Sequence, residues 1–434
     1  MTNRIFRVAI AGLGTIGSGV AEVLLKQIEQ GAPFQLAAIL EKYPDSPNCK
    51  VLHEQYPSLF TTDADKVLSD PSIDILVETI GGKTFARELI TRALENGKHV
   101  VTANKDLIAS HGKELLELAG KQQRYLLFEA SVGGAIPVLR LLQDYFYVRD
   151  IQEVLGIVNG TTNYILSKMS SKGVGFSQAL SDAQHKGYAE PDPTNDIKGY
   201  DARYKLVILT WLITGIWLNV DDIHVEGIDF LDAEDFDYAA RMDRQIKLIA
   251  CMKQEAGNLQ AFVLPLLVPK NHALAQTSGA TNIIVLKEKN AKEIAVTGQG
   301  AGKLPTATAI LADIYKIIRY PHIAEIPYPS SSLKFLPFPE YEFKHTLRLD
   351  VYDRPGIVGH IGTVLSRYGI NIYALEQLPK YHQVNREGKH TVIFTISLEP
   401  CKEELLQNAV REIENADYIA ESIVILRELP GDFS

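Results

Sequence analysis

The residues best equipped for chemistry lie between Gly187 and Lys205, in the stretch GYAEPDPTNDIKGYDARYK. Glu190, Asp192, Asp196, Asp201, Arg203 and Lys205 crowd into it, and an almost wholly apolar run, LVILTWLITGIWLNV from Leu206 to Val220, follows directly. A charged loop that feeds straight into a buried helix implies charges pointing into a pocket. Pro191 and Pro193 bias Glu190 and Asp192 toward extended backbone, because the residue before a proline is pushed out of the helical region. Gly199 permits a tight approach before a helix that starts near Asp201. Asp201 and Lys205, four apart, then share one face of that helix. A lysine at the mouth of an apolar helix is partly desolvated, which lowers its pKa toward a value useful for proton transfer. The competing reading is a capping Asp with a solvated salt bridge, worth about 0.2–0.5 kcal/mol. The acidic loop before the pair and the apolar run after it favour the pocket.

Proton transfer needs a reaction partner, and the N-terminal region supplies the pattern for one. Ile5–Ala11 reads as a buried parallel strand, followed by Gly12-Leu13-Gly14-Thr15-Ile16-Gly17 as G-x-G-x-x-G and a helical pattern over Ile16–Gln30. A second strand, Phe34–Leu40, ends at Glu41. Alone, three glycines are a weak signal. Set between strand and helix, with an acid at the end of the next strand, they form a dinucleotide fingerprint. The glycines let the backbone approach a pyrophosphate seated on the helix N-terminus. Glu41 suits the ribose 2′-hydroxyl and would repel a 2′-phosphate, which favours NAD, while the adjacent Lys42 would welcome one.

Three more strand-like runs follow: Ile73–Val77 before ETIGG, His99–Thr102 before Ala103-Asn104-Lys105, and Tyr125–Phe128 before EASVGGAIP. Helical patterns at Phe85–Asn96 and Lys113–Lys121 separate them. This βαβ alternation predicts a Rossmann-like, doubly wound parallel sheet, in which ligands bind beyond the carboxyl ends of the strands. Gly81, Asn104, Lys105 and Glu129 fall at those ends, so Lys105 is a candidate to touch cofactor or substrate.

From about residue 135 the pattern changes to an α+β substrate and dimerisation domain. Val154–Met169 reads as strand, Asn-Gly-Thr-Thr turn and helix, with further strands near Ala261–Val268 and Asn282–Glu288. A second glycine-rich loop, Gly298, Gly300 and Gly302, precedes Pro305 at a helix start. It could close over the nicotinamide side, or serve as a plain hinge. The Pro- and Ser-rich segment up to Lys344 reads as a linker. Beyond it the order βαββαβ predicts a ferredoxin-like module. The expected division is therefore 1–134 for the dinucleotide, with the helix after residue 305 returning to it, then 135–320, a linker at 321–344, and 345–434.

Bulk properties exclude several classes. The 434 residues are 46% hydrophobic and 22% charged, with a net charge of −9, so nucleic-acid binding has no electrostatic support. Three dispersed cysteines, Cys49, Cys251 and Cys401, form neither a disulfide framework nor a metal-ligand spacing, which suits a reducing cytoplasm. The first residues enter a strand at once, leaving no room for a targeting peptide, and the apolar run after Lys205 is too short and interrupted to cross a bilayer.

These motifs together resemble homoserine dehydrogenase, in its long bacterial form with a C-terminal ACT domain. The matching segments are G-L-G-T-I-G, T-A-N-K at 102–105, E-A-S-V-G-G at 129–134, N-G-T-T-N-Y at 159–164, the highly specific 187–205 stretch and D-R-P-G-I-V-G-H-I at 353–361. The resemblance implies NAD(P)-dependent interconversion of L-homoserine and L-aspartate 4-semialdehyde, on the route to threonine, methionine and isoleucine. It implies Lys205 as proton donor and acceptor, supported by Asp201, with Lys105 near the hydroxyl and nicotinamide. Glu190, with Asp196 and Asp201, would bind the substrate. Gly187, Gly300 and Gly302 would approach the cofactor. Glu129, Val132, Gly134 and Ile136 match a monovalent-cation site for Na+ or K+. Glu41 departs from the Arg that many NADP-using members carry. The tail would bind an amino-acid effector, threonine by expectation, in a homodimer or homotetramer; the alternative for the tail is oligomerisation alone. Two competing functions are another nicotinamide-linked dehydrogenase of amino or hydroxy acids, and a non-catalytic amino-acid sensor.

Overall fold

The computed structural model describes residues 4–145, 150–289, 292–321, 331–377, 383–384 and 390–429. Its first layer is a six-stranded sheet made of β1 (Phe6–Ala11), β2 (Phe34–Leu40), β3 (Phe60–Thr61), β4 (Ile75–Glu78), β5 (His99–Thr102) and β6 (Leu126–Leu127). The order is β3-β2-β1-β4-β5-β6 and every pair is parallel. β1 and β4 are largely apolar and almost fully buried, as strands covered by helices on both sides must be. The covering helices include α1 (Thr15–Glu29), α2 (Thr84–Glu95) and α3 (Lys105–Lys121). The strand order reverses between β1 and β4, and the crevice at that point is where such sheets take ligands.

The helix expected over Lys113–Lys121 starts eight residues earlier. Asn104 caps it, its side-chain oxygen accepting the Leu107 N–H at 3.1 Å. An Asn immediately after a strand is a strong helix start, and here it puts Lys105 in the first turn, at the mouth of the sheet.

The middle of the chain builds a second sheet from β7 (Ile151–Ile157), β8 (His224–Val225), β9 (Arg244–Glu255), β10 (Asn258–Pro269), β11 (Thr281–Glu288) and β12 (Lys292–Gln299). Strand β12 pairs with β11 along its whole length, so Gly298 lies in a strand and the expected glycine-rich loop shrinks to Gly300–Gly302. Helices α4 (Gly160–Lys172), α5 (Thr194–Ile197), α6 (Tyr200–Thr214) and α7 (Ala233–Arg241) accompany it. Helix α6 has no polar face after Lys205: Leu206, Val207, Ile208 and Leu209 are all fully buried. Helix α8 (Lys303–Arg319) packs against α1, and its Ala307, Ile310, Ile314 and Ile317 share a core with β1 and β2.

The tail adds β13 (His345–Tyr352), α9 (Ile357–Arg367), β14 (Ile372–Gln377), β15 (His390–Leu398), α10 (Glu403–Glu414) and β16 (Val424–Glu428). Its sheet is not separate. Parallel pairing of β16 with β10, through Leu266 opposite Arg427 and Leu267 opposite Glu428, joins both sheets into one of twelve strands. Residues 322–330 of the expected linker lie outside the described residues. Cys49, Cys251 and Cys401 are free. Among the described residues no helix is long and apolar enough to cross a membrane.

Candidate active site

Helix α6 begins at Gly199, whose φ of +79° a side chain would resist and whose Cβ position would fall 2.8 Å from Val225 Cγ1. The glycine brings the chain close enough for Asp201 and Lys205 to enter the interior, each only 7% exposed. Lys205 Nζ donates to Asp201 Oδ2 and to the Val158 carbonyl, both at 2.6 Å. The other oxygen of Asp201 faces Lys105 Nζ at 3.2 Å. One carboxylate thus joins a lysine from the end of β5 to a lysine on the helix of the second region.

The electrostatics follow from that geometry. Burial alone would push the Asp201 carboxyl up, but Lys205 and Lys105 beside it, with two hydrogen bonds, hold it well below the usual carboxylate range. The negative charge of Asp201 raises the pKa of Lys105. Asp196 moves the other way, pushed up by burial and then by the charge of Asp201. Desolvating such a group costs several kcal/mol. The four buried aliphatic residues that follow Lys205 each contribute roughly 1.5–3 kcal/mol and anchor the helix that carries it.

Asn159, in the turn after β7, is a site residue that the sequence reading passed over. Its amide nitrogen donates to Asp196 Oδ1 at 2.7 Å and Asp201 Oδ2 at 2.8 Å, while its oxygen caps α4 by accepting from Thr162 N–H at 2.9 Å. The N-G-T-T-N-Y motif held the signal, as an Asn N-cap, but nothing local showed which acids it would meet. Thr161 ties the loop to α4 by donating to the Tyr188 carbonyl at 2.6 Å. The acids of the loop divide. Asp192 is exposed and accepts from the N–H and hydroxyl of Thr194, contrary to the picture of every charge facing a pocket. Glu190 is exposed on the loop surface, its carbonyl held by Gln184 at 3.2 Å. Gly187 sits at φ +73° just before it.

The residues of the first sheet fit a dinucleotide. Gly12 is at φ +88° and a Cβ there would strike the Ile80 backbone at 2.9 Å. A Cβ on Gly17 would lie 1.9 Å from the Gly12 carbonyl, so α1 can approach only with glycine. At Gly14 nothing lies within 4 Å of the Cβ position, and no side chain caps α1 there, leaving an open cradle at a helix N-terminus. Thr15 and Ile16 open that helix. Glu41 reaches back across the cradle, accepting the Leu13 N–H at 2.6 Å and the Tyr43 N–H at 2.9 Å. Buried Glu78 shapes the neighbouring turn through Thr102 at 2.5 Å and the N–H groups of Ile80 and Gly81. Across the crevice Gly302, at φ +125°, starts α8.

Glu129, Val132, Gly134 and Ile136 form a tight loop after β6. The Glu129 carboxylate accepts the N–H groups of Leu139 at 3.1 Å and Arg140 at 2.8 Å. Burial, followed by the nearby Asp313, pushes its pKa up to about 8. A Cβ on Gly134 would meet the Gly300 carbonyl carbon at 2.6 Å, so this loop and the second glycine loop touch through backbone.

A doubly wound sheet with an open glycine cradle, facing a Lys–Asp–Lys bridge at its carboxyl edge, defines a nicotinamide-dependent oxidoreductase. Comparison with known proteins specifies it further. Residues 12–129 match the family model for the homoserine dehydrogenase NAD-binding domain, 137–315 that for homoserine dehydrogenase, and 345–415 that for the ACT domain. The chain is 34% identical to homoserine dehydrogenase of Neisseria gonorrhoeae, over 97% of this chain and 98% of that one. A solved homoserine dehydrogenase from Thiobacillus denitrificans superposes with a TM-score of 0.86 at 32% identity, covering 98% of both chains. A hyperthermophilic archaeal homoserine dehydrogenase in complex with NADPH matches with a TM-score of 0.62 at 26% identity, over 74% of this chain and 99% of that one. The chain belongs to the homoserine dehydrogenase family. It is an NAD(P)-dependent oxidoreductase acting on a CH–OH group, interconverting L-homoserine and L-aspartate 4-semialdehyde, with an ACT domain at its C-terminus.

Proposed function

We propose that Lys205 is the proton donor and acceptor of this reaction and that Asp201 positions it. The reading rests on one observation: a buried ammonium held by a carboxylate that also binds Lys105 at the mouth of the dinucleotide crevice. The nicotinamide, when bound, exchanges the hydride with the aldehyde carbon. As the carbonyl oxygen gains charge, Lys205 donates a proton to it, and in the reverse direction takes the hydroxyl proton. Asp201 keeps both ammonium groups in place without titrating. Lys105 adds a second positive charge for the developing alkoxide. Glu190 and Asp196, with Asp201, bind the substrate ammonium, which needs carboxylate partners. Gly12, Leu13, Gly14, Thr15, Ile16 and Gly17 receive the pyrophosphate, with Gly187, Gly300 and Gly302 closing the opposite side. We assign the dinucleotide and substrate regions to 1–134, with α8, and 135–320, and the regulatory module to 345–434.

The cofactor preference is NAD. The Glu41 carboxylate lies against the glycine loop, where it would accept from a ribose hydroxyl and repel a 2′-phosphate. Rates on aspartate 4-semialdehyde with NADH and NADPH test this; a higher kcat/KM with NADPH overturns it. A monovalent cation, Na+ or K+, is held by Glu129 and by the carbonyls of Val132, Gly134 and Ile136. Oxygen donors suit such ions. Support comes from Asn282, fully buried with neither amide atom partnered among the described residues, pressed against Gly300 beside this loop. The ACT module takes threonine as a feedback inhibitor, and the protein works as a homodimer or homotetramer in the cytoplasm. Titration with L-threonine and light scattering test the first two; unchanged kinetics and a monomeric mass overturn them.

A further inference from the structure

A fully buried guanidinium joins the C-terminal module to the active-site loop. Arg427, on β16, grips Glu226 with two parallel hydrogen bonds of 2.8 and 2.9 Å. Its Nε binds Glu403 of α10, which in turn meets His345 of β13 at 2.8 Å. Glu226 belongs to the loop after β8, and that loop lies backbone to backbone on the segment entering α6. Ile228 N–H donates to the Ile197 carbonyl at 2.9 Å. A Cβ on Gly227 would fall 2.4 Å from the same carbonyl oxygen and 2.9 Å from Lys198 Cα. Asp196 stands one residue before this contact, and Asp201 two residues after Gly199, whose Cβ position abuts Val225.

We propose that Glu226 is a positioning residue for the substrate site, and that its bidentate pair with Arg427 makes the C-terminal module set the placement of Asp196 and Asp201. This rests on the roles assigned above to those two acids. The module makes a second buried ion pair, Arg348 to Asp235 of α7 at 2.8 Å, which anchors it to an element outside the active-site loop. The two pairs allow anchoring to be separated from positioning. A general loosening of the interface would follow from breaking either; a change at the substrate site would follow only from breaking the first.

The test uses the full chain. Glu226→Gln and Asp235→Asn each replace an ion-paired carboxylate by its isosteric amide. Glu226→Gln is expected to raise KM for L-homoserine about tenfold, leaving KM for NAD unchanged. Asp235→Asn, with a comparable fall in melting temperature, is expected to leave both constants unchanged. Gly227→Ala leaves the buried charges in place and presses on the Ile197 carbonyl directly; it should raise KM for L-homoserine in the same direction, and it decides the matter if Glu226→Gln fails to fold. An unchanged homoserine KM in the folded Glu226 or Gly227 variant, or an equal rise in Asp235→Asn, overturns the proposal. Full activity in a Lys205→Ala variant would instead overturn the site reading beneath it.

Discussion

Lys205 Nζ lies 2.6 Å from Asp201 Oδ2, one helical turn along α6, in surroundings that leave each residue 7% exposed. An i,i+4 pair on a helix surface adds only about 0.2–0.5 kcal/mol. In the interior, the same pair becomes a fixed charge arrangement that neither partner can leave without stranding the other.

Replacing Lys205 by Met keeps the stem and removes the proton. Turnover should fall by about 10²–10⁴-fold, the usual contribution of a positioned acid–base group. NADH binding, followed by fluorescence, should not change. A variant with near-normal turnover would exclude Lys205 from proton transfer.

Asn159 does two jobs with one amide, and Asn159→Asp separates them. Asp caps helices as well as Asn, so α4 keeps its cap and the melting temperature should move little. The new carboxylate, however, faces Asp196 and Asp201 with like charge where an N–H donor had been. Activity at neutral pH should drop by about tenfold or more. A loss of stability with retained activity would show that the residue serves the helix alone.

Glu41→Arg should shift the ratio of kcat/KM for NADPH over NADH upward by about 10-fold or more, by exchanging a repelled phosphate for a paired one. NADH efficiency should fall as well, because the Leu13 and Tyr43 N–H groups lose their acceptor. An unaltered ratio would mean that the ribose is recognised elsewhere.

Lys247 gives a pH dependence of stability. It is buried on β9 with Asn163 Oδ1 at 3.0 Å and the Thr277 carbonyl at 2.7 Å as its partners, and burial pushes its pKa down to about 8 from 10.5. Below about pH 8 both folded and unfolded chains carry the proton, and the full burial cost is felt. Between there and 10.5 the unfolded chain binds more protons, so stability rises with pH. Denaturant unfolding should show wild type gaining up to about 3 kcal/mol over Lys247→Met across that window. Parallel profiles for the two proteins would sink the assignment.

A chain cut at residue 340 would be a poor way to probe the tail. Strand β16 pairs with β10, Leu429 N–H donates to the Leu267 carbonyl, and Arg427 neutralises Glu226. Removal would expose a sheet edge and leave Glu226 without its guanidinium partner. Point substitutions are the cleaner instrument.

What could be read from residues alone was what local physics writes locally. The glycine cradle, the alternation that builds the parallel sheet, the apolar helix after Lys205 and the βαββαβ tail each depend on short spacings, and the motifs among them carried the family resemblance. Only the tertiary structure decided which charges meet. Lys105 and Asp201 are separated in sequence by β6, β7, α4 and α5, and no periodicity links them; packing α3 against α6 does. The same holds for Asn159 between two acids, for Asp192 turning outward to Thr194, and for β16 joining the sheet of the middle region through β10. A side chain's partner across a core is set by how sheets and helices stack, and that information is spread over every residue that packs, not stored at the two that touch.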